Sequence, residues 1–253
     1  MLATAEPRAK AMAARAAARD WRLGRLAHVY DVPMPDRPAR PALPELLPPA
    51  RMPKRGRGSA HGNIALIHAI AHIEFSAIDL AFDIAGRFGG QFPRAFMDDW
   101  LHVGADEAMH FALVDRRLKS VGSFYGAMPA HDGLWDAAAD TAHDALARLA
   151  IVPMVLEARG LDVTPAMILR FEAAGDSATA RILSRIFNDE IRHVRAGSEW
   201  FESACNAAGR SVAETWPALV KRHFRGAIRP PFNDSARQSA GLSRDLYHAL
   251  ADD

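Results

Sequence analysis

Two short stretches of the chain carry the same pair of candidate metal ligands, a glutamate followed three positions later by a histidine. One pair is Glu107 and His110, and the other is Glu190 and His193. On an α-helix, residues three apart lie on one face about a turn apart, so both side chains can reach the same ion. Carboxylate oxygens and imidazole nitrogens suit iron, manganese or zinc. Only about 0.4 such matches are expected by accident in this composition, so two matches favour a metal site.

Each pair is preceded by a further glutamate at the same interval. The interval from Glu74 to Glu107 equals the interval from Glu157 to Glu190. All four glutamates lie in segments with helical periodicity. The order therefore predicts two helical hairpins related by an internal repeat. It resembles the ligand set that ferritin-like four-helix bundles use for two metal ions. The six candidate metal ligands are Glu74, Glu107, His110, Glu157, Glu190 and His193.

The charges of these side chains also favour metal. Four carboxylates carry four negative charges, which two divalent ions balance, whereas burying the carboxylates without metal would be very costly. For a single glutamate-histidine pair, a solvated helix face is the simpler interpretation. The shared register of all six residues makes that interpretation the weaker one. The sequence indicates no catalytic residue beyond the ligands.

An aspartate precedes the glutamate of each pair. Asp106 lies four residues before His110, and Asp189 lies four residues before His193, so each aspartate shares a helix face with its histidine. A metal-bound imidazole normally donates its other N–H to a carboxylate or a carbonyl, which fixes its tautomer. We therefore predict that both aspartates support the metal-binding histidines. The alternative at each position is a solvated helix residue.

The composition is that of an ordinary soluble globular protein. The chain has 253 residues, 49% hydrophobic and 24% charged, with a formal net charge of +1 that disfavours nucleic acid as a partner. Cys205 is the only cysteine, which excludes an internal disulfide and a Cys-rich electron-transfer module. No uninterrupted apolar run approaches the length of a transmembrane helix, and the N-terminus lacks a signal-peptide core. A cytoplasmic protein is expected, although some transit peptides share the Ala- and Arg-rich start.

The positions of proline and glycine predict an all-α chain with three parts. Residues 1–61 are expected to form a short helix and then a proline-rich arm packed on the bundle. Residues 62–210 are expected to form the four-helix bundle whose ligand order resembles the ferritin-like one, and residues 211–253 a tail with one or two short helices. Four basic residues close the arm, and they form either a solvated loop or a contact for an acidic or phosphate-bearing substrate. They are Arg51, Lys54, Arg55 and Arg57.

Capping residues, prolines and glycines predict four long helices in the bundle. Pro153 should kink or bulge the third helix one turn before Glu157, because proline removes a backbone hydrogen bond. Gly160 is expected to end that helix, and Thr164 with Pro165 to begin a short separate one. The predicted spans of the long helices are about 62–89, 93–120, 134–159 and 176–209.

Two further histidines lie in the first long helix. His68 and His72 share one face, whereas Glu74 lies about 200° around the helix from His72 at the usual rotation per residue. We therefore interpret both as core or surface histidines rather than ligands of the ion that Glu74 would bind.

Six segments carry a resemblance to a known family. They are residues 72–80 (HIEFSAIDL), 106–111 (DEAMHF), 129–135 (PAHDGLW), 156–165 (LEARGLDVTP), 189–193 (DEIRH) and 229–237 (RPPFNDSAR). Together they resemble a bacterial family of ferritin-like proteins of unassigned function, part of the di-iron carboxylate superfamily. The resemblance implies a four-helix bundle with two iron or manganese ions, without naming a reaction. It also implies that Asp106 supports His193 and that Asp189 supports His110.

Differences from more distant relatives reduce the number of possible functions. The ligand order is similar to that of bacterial multicomponent monooxygenases, the ribonucleotide reductase small subunit, rubrerythrin and tRNA-hydroxylating ferritin-like enzymes. Val114 stands where the reductase subunit has its radical tyrosine, and one cysteine cannot build the extra iron site of rubrerythrin. Cage ferritins lack long proline-rich arms, so iron storage is disfavoured.

Two functions remain open. The first is an O₂-activating di-iron oxygenase or oxidase, with Glu107 and Glu157 as candidate bridging ligands. The second is metal handling, or peroxide removal by an iron or manganese pair. A substrate-sized apolar pocket opening onto the metals would favour the oxygenase. The expected partners are O₂, a small-molecule substrate and an external electron donor, and no contact with a membrane is expected. Binding of tRNA and formation of a homodimer remain as alternatives.

Overall fold

The computed structural model describes residues 1–30, 32–53, 56 and 59–251. Over these residues the chain is helical, and the β-structure is limited to an isolated bridge between Leu46 and Ala130. This confirms the predicted fold class at the level of an all-α protein. The chain divides into two compact units, and each is described separately below.

The first unit comprises Met1–Asp136 and Phe171–Ile182. Its third helix packs against both the second and the first. The helices begin at local signals: Glu6 caps the first, and Ser59 caps the second by accepting from the N–H of Gly62. The helices are α1 (Pro7–Arg22), α2 (Ala60–Phe88) and α3 (Arg94–Ser120), with short 3₁₀ turns at Pro49–Arg51 and Gly89–Gln91.

The second unit comprises Ala137–Arg170 and Leu183–Asp253. Three helices, α4, α6 and α7, cross the boundary between the units along the chain. The C-terminal tail contains three short helices rather than the predicted one or two. In chain order the helices are α4 (Gly133–Asp140), α5 (Ala145–Ile151), a π-helical turn (Val152–Glu157), α6 (Ala158–Ala173), α7 (Ser177–Ala207), α8 (Val212–His223), α9 (Asp234–Ser239) and α10 (Arg244–Ala251).

Buried charges attach the proline-rich arm to α2 within the first unit. Lys10 of α1 donates to Asp79 of α2 at 2.6 Å and to the carbonyl oxygen of Ala39 at 3.1 Å. Arg40, the next residue of the arm, also pairs with Asp79, and its other nitrogen lies 3.0 Å from Asp132. The side chains of Lys10 and Asp79 are fully buried. The arm therefore packs on α2, and charged residues fix its position.

Two predicted helix boundaries in the second unit are wrong. Helix α6 passes through Gly160 and Pro165, where an end and a new start were expected. Pro165 has no N–H to donate to the carbonyl oxygen of Leu161 one turn earlier. Asn233 donates to that oxygen instead, from its Nδ2 at 3.2 Å. This long-range hydrogen bond satisfies the carbonyl, so the helix continues.

The predicted third helix, residues 134–159, is not continuous. Helix α4 ends at Asp140, and Asp144 then starts α5 by accepting from the backbone N–H groups of Leu146 and Ala147. The buried side chain of Arg148 donates to the hydroxyl of Thr141 at 3.0 Å, inside the break. At this break, the N-cap of Asp144 and the hydrogen bonds of the buried Arg148 thus take the place of continuous helical backbone hydrogen bonds. The starts and ends of α2, α3 and α7 agree closely with their predicted spans.

Asn233 is expected to stabilise the second unit in two ways that substitutions can separate. Its Oδ1 accepts from the N–H of Ala236 at the start of α9, while its Nδ2 donates to the carbonyl oxygen of Leu161. Asn233→Ala should lower the free energy of unfolding by about 2–3 kcal/mol, since it removes a cap and leaves a carbonyl unsatisfied. Asn233→Ser keeps a capping oxygen and should lose only about 1 kcal/mol. Urea denaturation would measure both. An unchanged stability of Asn233→Ser would contradict the role of the Leu161 hydrogen bond, and equal losses in the two variants would contradict the role of the cap.

Two observations bear on the expected partners. The stretch Ala60–Gln91 is long and apolar enough to cross a membrane, but 72% of its most apolar window is buried inside the structure, as in the core of a soluble protein. Of the basic cluster, Arg51 is exposed, whereas Lys54, Arg55 and Arg57 lie outside the described residues.

Candidate metal centre

Three of the predicted ligands meet inside the first unit. Glu74 lies on α2, and Glu107 and His110 lie on α3. The Nδ1 atom of His110 is 3.3 Å from a carboxylate oxygen of Glu74 and 3.4 Å from one of Glu107. These side chains are at most 5% exposed, and their ligand atoms lie within 4.8 Å of one another. Two carboxylates and an imidazole in this arrangement can hold a metal ion.

A glycine lets the two helices that carry the candidate ligands of this unit approach closely. Gly104 lies one turn before Glu107, and a Cβ atom at that position would lie 2.5 Å from the ring of Phe82 on α2. Any larger residue would therefore push α3 away from α2 or displace the ring. Sequence reasoning missed this position, although a glycine inside a helical pattern is a signal for close packing.

The second unit holds the other three predicted ligands. Glu190 and His193 share a face of α7, and the Nδ1 atom of His193 is 3.7 Å from a carboxylate oxygen of Glu190. The His193 side chain is 1% exposed and that of Glu190 is 13% exposed. Glu157 is the last residue of the π-helical turn before α6. The Glu-x-x-His pair thus has similar local geometry in both copies of the repeat.

The predicted distortion at Pro153 is confirmed. A π-helical turn, Val152–Glu157, interrupts the chain between α5 and α6, with Pro153 as its second residue. Proline lacks the N–H that an α-helix needs, and π-turns occur frequently at functional sites. The turn places Glu157 at its C-terminal end. A carboxylate predicted to bind metal therefore lies on irregular rather than α-helical backbone.

Gly197 of α7 makes room for this proline, and its substitution is expected to be destabilising. A Cβ atom at position 197 would lie 2.3 Å from the Cβ of Pro153, whose ring cannot rotate away. Gly197→Ala should lower the free energy of unfolding by about 1–3 kcal/mol through overpacking. Gly160→Ala in α6 is the matched control, because nothing lies within 4 Å of the added atom. That control should be neutral or stabilising, so equal urea midpoints for the two variants would contradict the packing argument.

The two aspartates contact side chains on their own helices. A carboxylate oxygen of Asp106 lies 3.5 Å from His102 Nε2, one turn earlier on α3. Asp189 is buried and pairs with Arg185 and Arg192 on α7. Burial argues against a fully solvated Asp189. The support of the two candidate metal-binding histidines by either aspartate stays a prediction.

The other face of α2 carries the two histidines that were not assigned as ligands. The hydroxyl of Tyr125 lies 2.9 Å from Nδ1 of His72, and Nε2 of His72 lies 3.2 Å from the carbonyl oxygen of His131. The backbone N–H of Gly126 donates to Nε2 of His68. Burial, and then the positive charge of Arg40, lowers the pKa of His72 to about 4, so this imidazole is neutral at pH 7. Both histidines are buried, so of the two expected positions, core or surface, they take the core.

Residues 3–248 match the family described as "Protein of unknown function (DUF455)". The chain belongs to this family. An uncharacterized protein of Haemophilus influenzae is 40% identical over 223 residues, which cover 84% of this chain and 76% of the relative. No solved structure matches the chain. Membership of DUF455 confirms the predicted resemblance as far as a family of unknown function, and it leaves the ferritin-like assignment as a proposal.

In this member of DUF455, a cavity of about 230 Å³ lies beside His68 and His72. None of the three candidate ligands of the first unit lines it. It is therefore not the pocket onto the metals that the oxygenase hypothesis requires. Sequence reasoning missed the cavity, because its walls come from separate parts of the chain.

Proposed function

We propose that the protein is a ferritin-like carboxylate protein that binds two metal ions, most simply iron, and uses them to activate O₂ as an oxygenase or oxidase. The internal repeat supports the number of ions, since each copy supplies a glutamate and a Glu-x-x-His pair. The six ligands would be Glu74, Glu107, His110, Glu157, Glu190 and His193.

The buried cluster of Glu74, Glu107 and His110 carries this proposal. Ligand atoms bound to one ion at about 2.0–2.2 Å lie about 2.8–3.6 Å from one another, and the two distances from His110, 3.3 Å and 3.4 Å, fall in this range. Buried carboxylates are costly without a compensating cation. Oxygen and imidazole ligands fit iron and manganese better than they fit copper(I), which prefers sulfur.

The residues of the chain would bind and orient the ions. When bound, two Fe(II) ions supply electrons for the reduction of O₂. His110 and His193 would each bind through one ring nitrogen, and the carboxylates would neutralise the charge of the ions. The first-unit cluster is almost completely shielded from solvent, which limits the access of bulk water.

Metal handling or peroxide removal by an iron or manganese pair is the second candidate. It is favoured by the position of the cavity in the first unit, which none of the ligands of that unit lines. Peroxide or ion traffic needs only a narrow channel, whereas an oxygenase needs a pocket for its substrate.

An anaerobic titration tests the proposal. Protein loaded with Fe(II) and desalted is expected to retain about two iron ions per chain, and admitting air should consume O₂ and change the optical spectrum. One ion or fewer per chain would contradict the dinuclear site. Two ions that react with hydrogen peroxide but not with O₂ would favour the second candidate. Under the first candidate, the protein would act in the cytoplasm with an external electron donor and a small-molecule substrate.

A further inference from the structure

The face of α2 that carries His72 forms one wall of the cavity in the first unit. The loop between α3 and α4 forms much of the opposite wall, and the cavity measures about 230 Å³. Glu74 lies about 200° around α2 from His72, so this cavity is separate from the proposed ligands. The positions of α2 that line it are His61, Ala65, His68, Ala69, His72 and Ile73.

We propose that this cavity binds a small uncharged aromatic molecule that carries a hydrogen-bond acceptor. The lining is mainly apolar and includes Met52, Met128, Pro129 and Leu134. Among the residues that the structure describes, no aspartate, glutamate, lysine or arginine lines it. Against these described walls, a charged ligand would lose its hydration without gaining a counter-ion, so they select against charge.

A metal ion does not suit the same walls, although four imidazoles line them. A metal needs several ligand atoms that converge on one point. Among the described residues, these imidazoles form no group of three ligand atoms within 4.8 Å of one another. Two of the four, His68 and His72, use ring nitrogens in hydrogen bonds to the loop. The histidines therefore serve as aromatic and hydrogen-bonding walls.

Hydrogen bonds hold the loop wall in place. Ala130 donates its N–H to the carbonyl oxygen of Glu45 at 2.9 Å and accepts from the N–H of Leu47 at 2.8 Å. His72 binds the carbonyl oxygen of His131, and Tyr125 binds the other nitrogen of His72. A wall fixed at several points gives a largely pre-formed site, which lowers the ordering cost of binding.

His131 supplies the polar group that selects the ligand. Its Nδ1 accepts from the N–H of Gly133 at 3.3 Å. This hydrogen bond assigns the ring proton to Nε2, which makes Nε2 a donor. His131 lines the cavity and is partly exposed. A carbonyl or ring nitrogen on the ligand can accept from it.

The volume sets the size of the ligand. A dry cavity of about 150 Å³ holds benzene, so by simple scaling the present cavity suits a ring compound of about nine non-hydrogen atoms. Acetophenone has this size and an acceptor. Benzoate matches it in size but is charged, and cumene matches it in size without an acceptor. These three compounds separate the contributions of charge, acceptor and shape.

Ligand-detected NMR titrations of the full chain test the proposal. Acetophenone is expected to bind saturably, with Kd on the order of 0.1–1 mM for so small a ligand, and benzoate at least about tenfold more weakly because of its desolvation. His131→Phe, which keeps a ring, should weaken acetophenone about fivefold, the effect of one hydrogen bond, and leave cumene unchanged. Ala69→Leu should fill the cavity and weaken both.

A variant on the opposite wall guards against a folding defect in α2. Ala127→Leu places the added bulk on the loop, where the residue is exposed at the cavity, and it should also weaken both compounds. Retained iron binding in these variants would show that the metal ligands are intact, so the two proposals can fail independently. The absence of saturable binding, tight binding of benzoate, or binding unaffected by either leucine would overturn the assignment.

Discussion

Replacing Asp79 with alanine is expected to lower the free energy of unfolding by about 3–5 kcal/mol. The substitution leaves the ammonium group of Lys10, which is fully buried, without the carboxylate 2.6 Å away. Burial lowers the pKa of Lys10 and raises the pKa of Asp79, while the attraction between the two charges opposes both shifts. Arg40 loses the same partner, so the arm should detach from α2 early in urea denaturation.

Two comparisons show whether burial causes this loss. Asp20 pairs with Arg19 and Arg25 on the surface, where the arginine side chains are about 60% exposed. Asp20→Ala should therefore cost less than about 1 kcal/mol. The double variant Lys10→Met with Asp79→Leu removes both charges and should recover much of the stability. A loss below about 1 kcal/mol for Asp79→Ala would mean that the pair does not hold the arm.

Replacing His110 with alanine is expected to weaken iron binding by about 100-fold or more, beyond the 10–100-fold cost of a supporting residue. His110 contributes a ring nitrogen within 3.4 Å of both carboxylates of its cluster. His102 is the matched control, since it lies on the same helix with a side chain that is 53% exposed. Equilibrium dialysis of iron against the two variants makes the comparison. Equal iron affinities for the variants would exclude His110 as a ligand.

The effect of a second substitution in the cluster on stability should change sign when the metal is bound. Glu107→Gln removes one buried negative charge and nearly preserves the shape of the side chain. In chelator, where the buried carboxylates have no ion to balance them, the variant should be as stable as the parent or more stable. With iron present it should be less stable, because the parent gains more from binding. Thermal unfolding in both conditions measures the difference, and the same ranking in both would argue against a metal at Glu107.

Local signals in the sequence predicted much of the helical architecture. Pro93 precedes α3, Asp176 caps α7 by accepting from the N–H of Thr179, and Gly209 follows α7 with a φ of +64°. These signals act within about one turn of the chain, so their effect can be read from neighbouring residues. The shared helix face of each Glu-x-x-His pair was predicted for the same reason, because a helix fixes the relative direction of residues three apart. The distortion at Pro153 follows from the missing N–H of that residue alone.

Only the tertiary structure decided where polar groups find partners far along the chain. Pro165 is a helix-breaking signal in the sequence. The helix nevertheless continues, because Asn233 donates a hydrogen bond to the carbonyl oxygen of Leu161. Lysine is usually a solvated surface residue, yet Lys10 lies fully buried against Asp79. Composition and periodicity say how polar a position is, but they do not say which distant group will compensate it. The burial of a charge depends on that partner, since an unpaired charge could not stay buried.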